Sequence, residues 1–128
     1  MIKKRILNHQ RIRHIDGGFA FIPHRFLTDG FLSALKPSQQ QLYFLLVLAA
    51  DRYGLSFYSY DTICNLLQMS LDHYIEARDD LIKKDLIAFD GSIFQVLDLP
   101  QSSAKKTTPS QHSALNHLIQ KCVKGVQP

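Results

Sequence analysis

Apolar side chains recur at helical spacing in three consecutive segments in the middle of the chain. In the first segment, from Ser38 to about Tyr53, almost every position after Gln41 is apolar, which predicts a helix buried on most sides. It begins with an S-x-x-Q capping box, in which the side chains of Ser38 and Gln41 satisfy free backbone N–H groups. The other two segments, Ser59–Leu67 and Ser70–Asp85, each begin at a serine that can accept a hydrogen bond at a helix N-terminus. We therefore expect three helices, the last two joined by a short turn.

After the third helix the spacing of the apolar residues becomes alternating. Asp90-Gly91 is a dipeptide typical of two-residue turns, and it predicts a hairpin over Leu86–Leu97. In that register Ile87 lies opposite Phe94, and the apolar side chains of both strands share one side of the hairpin. That side can pack on the helices.

The two ends of the chain differ in composition from this middle part. Residues 1–16 hold five Lys/Arg and no regular apolar period, so they form a basic arm in front of a domain that we place at residues 17–100. Residues 101–112 are rich in Ser, Thr, Lys, Gln and Pro, a composition that cannot build a core and that indicates a linker. Residues 113–125 have apolar side chains at helical spacing and predict a short amphipathic C-terminal helix. A length of 128 residues suits one domain, and the expected fold class is mainly α with a small sheet (α+β).

The net charge of +4 is unevenly distributed. Residues 1–36 carry seven Lys/Arg and two Asp, and residues 37–100 carry four Lys/Arg and nine Asp/Glu. Residues 101–128 carry four Lys and no acid. An acidic middle between two basic ends predicts that contacts with a polyanion are made mainly by the ends.

Several classes of function are disfavoured by what the sequence lacks. Cys64 and Cys122 match neither a zinc spacing nor a redox pair, and free thiols are typical of the reducing cytoplasm. The longest apolar run, Leu42–Ala50, has nine residues, whereas a membrane-spanning helix needs about 20. The six histidines show no metal spacing, and we find neither a glycine-rich phosphate loop nor a recognisable catalytic set. We therefore expect a cytoplasmic protein that is not an enzyme and that uses no cofactor or metal.

Three phrases follow one another in the chain: A-D-R-x-G at residues 50–54, S-Y-x-x-I at residues 59–63, and L-I-K-K-D-L-I at residues 81–87. Together they resemble the winged helix-turn-helix of bacterial transcription regulators, and especially that of plasmid and phage replication-initiation proteins. The resemblance implies that the third helix is a recognition helix, that the hairpin is a wing and that DNA is the partner. Where that family often has glycine in the turn this chain has Gln68, which predicts a left-handed backbone there at a cost of about 1 kcal/mol.

The resemblance implies a role in transcription control, or in replication or transposition of a mobile element. The candidate DNA-binding residues are basic side chains of the arm, of the segment that follows it, and of the third helix and its end. They are Lys3, Lys4, Arg5, Arg11, Arg13, Arg25, His73, Lys83 and Lys84. A solubilising role for the arm is the simpler alternative.

The outward positions of the third helix depart from the family pattern. Leu71, Asp72, Ile75 and Glu76 stand where that family places basic and small polar residues, and carboxylates near phosphates are repelled. The acids also have simpler explanations, since Asp72 stabilises a helix N-terminus and Glu76 suits a solvated face.

These departures support an alternative function, a winged helix used as a protein-interaction or dimerisation module. Its contacts would come from the third helix and from apolar residues of the C-terminal helix. The latter are Leu115, Leu118 and Ile119. A terminal helix of about three turns is unstable alone, so we expect it to pack on a second copy in a homodimer or on its own domain.

Overall fold

The computed structural model describes residues 2–101. In this part of the chain four α-helices combine with one three-stranded antiparallel sheet, which confirms a helix-rich fold with a small sheet. None of the helices between residues 2 and 101 is both long and apolar enough to cross a membrane. In chain order the elements are α1 (Arg25–Thr28), α2 (Pro37–Ala49), β1 (Leu55–Ser56), α3 (Tyr60–Leu67), α4 (Leu71–Lys83), β2 (Ile87–Phe89) and β3 (Phe94–Val96).

Serine caps begin both α3 and α4, as the sequence predicts. The side-chain oxygen of Ser59 accepts from the backbone N–H of Thr62 at 3.4 Å, and that of Ser70 accepts from the N–H of His73 at 3.1 Å. Gln68 between the two helices has φ 56° and ψ 46°, so the predicted left-handed turn is confirmed. Asp85, just after α4, is also left-handed, with φ 63°.

The limits of α2 differ from the prediction of Ser38 to Tyr53. The helix begins at Pro37, whose fixed φ suits a first helical position. The backbone N–H of Lys36 donates to Gln39 Oε1 at 3.1 Å, so the capping glutamine is Gln39 and not Gln41. The helix ends at Ala49 because Ala50 is extended, with φ −72° and ψ 145°.

A turn held by Asp51 follows α2. Its Oδ1 accepts from the backbone N–H groups of Leu55 at 2.9 Å and Tyr53 at 2.8 Å, and these bonds lower the pKa of the carboxyl. Gly54 lies in this turn with φ 88°, and its carbonyl accepts from the N–H of Val96 at 2.8 Å. A Cβ at Gly54 would lie 2.5 Å from the Val96 oxygen. The glycine therefore joins the turn to β3 and is not the end of the preceding helix.

The sheet has the order β1-β3-β2, and its hairpin has a longer loop than predicted. Ile87 pairs with Val96, so the predicted pairing of Ile87 with Phe94 is wrong. The loop runs from Asp90 to Ile93, because the Asp90 carboxylate accepts from the backbone N–H groups of the third and fourth loop residues at 2.8 Å each. The shift is two residues, which keeps the same side chains on the buried face.

One side of α2 forms the middle of the core and packs against α3, α4, β1 and β3. The prediction that α2 is buried on most sides is wrong, since Leu48 is 73% exposed and Phe44 is 39% exposed. Buried Gln39 donates from Nε2 to Asp80 Oδ2 at 2.8 Å and so joins α2 to α4. The buried apolar residues are Phe26, Phe31, Leu35, Leu42, Tyr43, Leu46, Val47, Ile63, Tyr74, Ala77, Leu81, Leu86, Ile87 and Phe94.

Replacing Gly54 by alanine should destabilise the fold more than the same change at other glycines. We expect Gly54→Ala to lower the free energy of unfolding by more than about 2 kcal/mol, because a left-handed φ and a clash with backbone act together. Gly91→Ala, with φ 102° and nothing within 4 Å of the added Cβ, should cost about 1 kcal/mol from φ alone. Urea unfolding of the two variants compares them, and equal losses of stability would contradict the close approach of Gly54 to β3.

The Asp51 turn should make stability depend on pH. The pKa of this carboxyl is lowered in the folded state, so its contribution is present at neutral pH and is lost as pH falls below the ordinary value of about 3.9. We expect Asp51→Ala to melt at a lower temperature than the wild type near neutral pH, and the gap to narrow at about pH 3. Asp51→Asn keeps an acceptor oxygen, so its melting temperature near neutral pH should lie between those of Asp51→Ala and the wild type. A gap of the same size at both pH values would argue against a charged acceptor.

Candidate functional site

The side of α4 that faces away from the core combines an apolar strip with an acidic one. Leu71, Ile75 and Ile82 are exposed, and at 3.6 residues per turn they lie within about 40° of each other around the helix. A row of exposed carboxylates lies beside them on the neighbouring part of the circumference. We call the three apolar residues and the three carboxylates together the outer face of α4. They are Leu71, Asp72, Ile75, Glu76, Asp79 and Ile82.

Arg78 lies at the edge of this face and is engaged in the fold. Its guanidinium carbon is 5.3 Å from the ring centroid of Phe89 and 5.5 Å from that of Tyr74. Its Nη2 lies 3.1 Å from Asp79 Oδ1. The side chain thus covers core aromatics and pairs with an aspartate.

The candidate DNA-binding residues of α4 are at opposite ends of the helix. His73 lies in the first turn, whereas Lys83 is the last helical residue and Lys84 follows it. Ten residues separate His73 from Lys83, which is about 15 Å along the axis. The hairpin, residues 87–96, contains no lysine or arginine. The structure therefore keeps His73 apart from Lys83 and Lys84.

Arg25 is used inside the fold. Its Nε donates to Asp29 Oδ2 at 2.9 Å, and its Nη2 donates to the carbonyl oxygens of Pro100 at 2.6 Å and Gln101 at 3.3 Å. The guanidinium also lies over the ring of Phe31, 5.5 Å from its centroid. This candidate DNA-binding residue joins the end of the described chain to α1.

The arm, residues 2–16, is exposed at every position. Asn8 Oδ1 accepts from the backbone N–H of Gln10 at 3.0 Å and caps a single 3₁₀ turn, His9–Arg11. Among the described residues, the hydrogen bonds of the arm join arm residues only to one another. Five of the predicted phosphate-binding residues are therefore presented together on one free segment: Lys3, Lys4, Arg5, Arg11 and Arg13.

A groove of ≈ 530 Å³ lies beside α2 and was not anticipated from the sequence. Its walls are residues 17–23, the turn after α2 and the chain that leaves β3. Phe19 and Phe21 are exposed while Ala20 and Ile22 are half-buried, an alternation of exposure that the all-apolar sequence F-A-F-I does not show. Buried Tyr43 also lines the groove, and burial raises its pKa to about 12. The lining is mainly apolar, and we assign it no chemistry.

No three His, Cys, Asp or Glu residues between positions 2 and 101 are grouped as a metal site would require. The C-terminal residues Leu115, Leu118 and Ile119, with the predicted linker and terminal helix, lie outside the described residues.

Arg25→Ala tests whether this residue serves the fold or a polyanion. We expect the free energy of unfolding to fall by about 1–3 kcal/mol, because the carbonyls at residues 99–101 lose a charged donor. DNA affinity per folded molecule should not change. Lys36→Ala, at an exposed cation, is the control for stability. If Arg25→Ala keeps full stability but binds DNA more weakly, Arg25 contacts phosphate and does not serve the fold.

Comparison with known proteins does not assign the chain to a family: no protein-family model matches it, and neither a curated protein nor a solved structure gives a significant match.

Proposed function

We propose that this chain is a cytoplasmic DNA-binding module of the winged helix-turn-helix type. In this proposal α3 and α4 form the helix-turn-helix and the β2–β3 hairpin is the wing. Its role is in transcription control, or in the replication or transposition of a mobile element. The element order supports the proposal, since two serine-capped helices separated by a three-residue turn lead directly into a hairpin.

The observation that carries the proposal is the free basic arm. Residues 2–16 hold five Lys/Arg and one Asp, whereas residues 17–101 hold six Lys/Arg and ten Asp/Glu. Two of those six cations, Arg25 and Arg78, are paired within the fold. Among residues 2–101, positive charge available to a phosphate backbone is therefore concentrated in the arm.

The arm would bind DNA by neutralising phosphates along the backbone or by entering a minor groove, as basic arms do in other DNA-binding proteins. Lys83 and Lys84 would add contacts at the end of α4, and His73 lies at the end that enters a major groove in this class of domain. The carboxylates of the outer face keep α4 away from phosphates, although a carboxylate can accept from cytosine N4. We therefore expect phosphate contacts to dominate and sequence preference to be small.

The outer face of α4 supports a second candidate function, a protein-interaction or dimerisation module. Apolar side chains such as Leu71 and Ile75 gain nothing from phosphates but gain from burial against another protein. This function needs no DNA, and the two candidates can be separated by experiment.

Neutralising the arm should weaken DNA binding on every sequence. We expect the full chain with Lys3, Lys4, Arg5, Arg11 and Arg13 all changed to Gln to bind random duplexes more weakly. The slope of log K against log salt should flatten by about 0.9 for each phosphate that the arm no longer neutralises, and thus by up to about 4.5. Fluorescence anisotropy over a salt series measures both quantities.

The matched control is Lys36→Gln, which removes an exposed cation from the folded part. It should change the slope by less than about 0.9, the value for a single phosphate. If the fivefold variant keeps the wild-type affinity and slope, the arm is a solubilising end and the proposal fails.

A further inference from the structure

We propose that the arm of one copy binds the outer face of α4 of a second copy. The arm is then a ligand for two surfaces, DNA phosphates and an acidic, apolar helix face. The inference goes beyond DNA binding because it assigns the arm and α4 to each other.

The arm carries more apolar surface than phosphate binding requires. Its exposed apolar residues are interleaved with its cations, and they make up five of the residues between 2 and 16. Tails that serve only as solvated ends are poor in such residues. Phosphate oxygens offer them no contact, so we infer that the partner of the arm includes an apolar surface. These residues are Ile2, Ile6, Leu7, Ile12 and Ile15.

The outer face of α4 has the complementary composition. Leu71, Ile75 and Ile82 form a strip about 16 Å long, and Asp72 and Glu76 lie beside it. An extended segment of five residues covers about the same length. The arm sequence from residue 11 to residue 15, R-I-R-H-I, can therefore span the strip. Side chains alternate in an extended chain, so Ile12 can lie on the strip while Arg11 and Arg13 share the other side, beside the carboxylates.

Two other exposed apolar surfaces, the outer side of α2 and the groove, fit the arm less well. The exposed side of α2 offers Leu48 and Phe44 in a helix that has no acidic residue. The groove is lined by two carboxylates from separate segments, Asp51 and Asp98, and that of Asp51 already accepts two backbone hydrogen bonds of its own turn. Neither surface combines an apolar strip with a row of exposed carboxylates.

The partner is a second copy because the arm stays exposed on its own chain. Ile2 is 91% exposed and Leu7 is 84% exposed. Two copies can exchange arms about a two-fold axis, so that each arm covers the face of the other chain. The net charges favour this contact, since the arm carries +4 and residues 17–101 carry −4 by the counts given above. Salt should weaken it.

Charge reversal on each side of the contact gives a direct test with the full chain. The face variant is Asp72→Lys with Glu76→Lys, and the arm variant is Arg11→Glu with Arg13→Glu. Light scattering and sedimentation measure self-association at low ionic strength, at concentrations up to about 100 µM. We expect the wild type to dimerise and each variant alone to dimerise at least about tenfold more weakly, because like charges then meet.

Mixing the two variants should restore the dimer, because the reversed arm of one then meets the reversed face of the other, and the unchanged arm meets the unchanged face. This rescue also shows that both variants fold. Two apolar changes complete the test: Ile75→Ser on the outer face should weaken the dimer, whereas Leu48→Ser on α2 should not. A monomeric wild type, a mixture that stays monomeric, or a dimer unaffected by either reversal would overturn the inference.

Failure of the proposed contact between copies can be distinguished from failure of DNA binding. Absence of the charge rescue together with an arm-dependent salt slope on DNA would reject the contact between copies and keep the proposed function. Rescue of the dimer without any DNA binding would keep the contact between copies and reject the proposed function.

Discussion

The hydrogen bond between Gln39 and Asp80 ties α4 to α2 and sets which side of α4 faces outward. Both polar groups of Gln39 are satisfied in the core, since Oε1 accepts from Lys36 and Nε2 donates to Asp80. Loss of the Asp80 acceptor would leave a buried amide unpaired, at a cost of about 1–3 kcal/mol. With Ala77 and Leu81 also fully buried, α4 has one rotation that suits the core. The apolar strip and the carboxylates are outward as a consequence of that rotation.

Local signals in the sequence predict the elements near α3 and α4 well. Ser59 and Ser70 act within three residues of themselves, so their capping role follows from the chain alone. The buried side of the hairpin was also predictable despite the wrong loop length, because alternation along a strand survives a shift of two residues. The loop length itself depends on the Asp90 carboxylate, which binds the N–H groups of residues 92 and 93.

Contacts between residues far apart in the chain could not be predicted. Arg25 has the side chain of a typical phosphate contact, but its partners at residues 99–101 are 74 to 76 residues away in the chain. The end of α2 was extended too far because apolar residues continue past Ala49, while the turn at Asp51 is fixed by backbone bonds and by the approach of β3 to Gly54. The cations of the arm were identifiable from the sequence, and their exposure was not.

Gln68 and Asp85 also bear on how the chain tolerates substitution. Both hold left-handed backbone without being glycine, and they stand on either side of α4. Each position carries a strain of about 1 kcal/mol that glycine would relieve. A destabilising change on the outer face of α4 can therefore be offset by glycine at Gln68 or Asp85, two positions that do not belong to that face. Surface properties of α4 can therefore diverge during evolution while the fold keeps its stability.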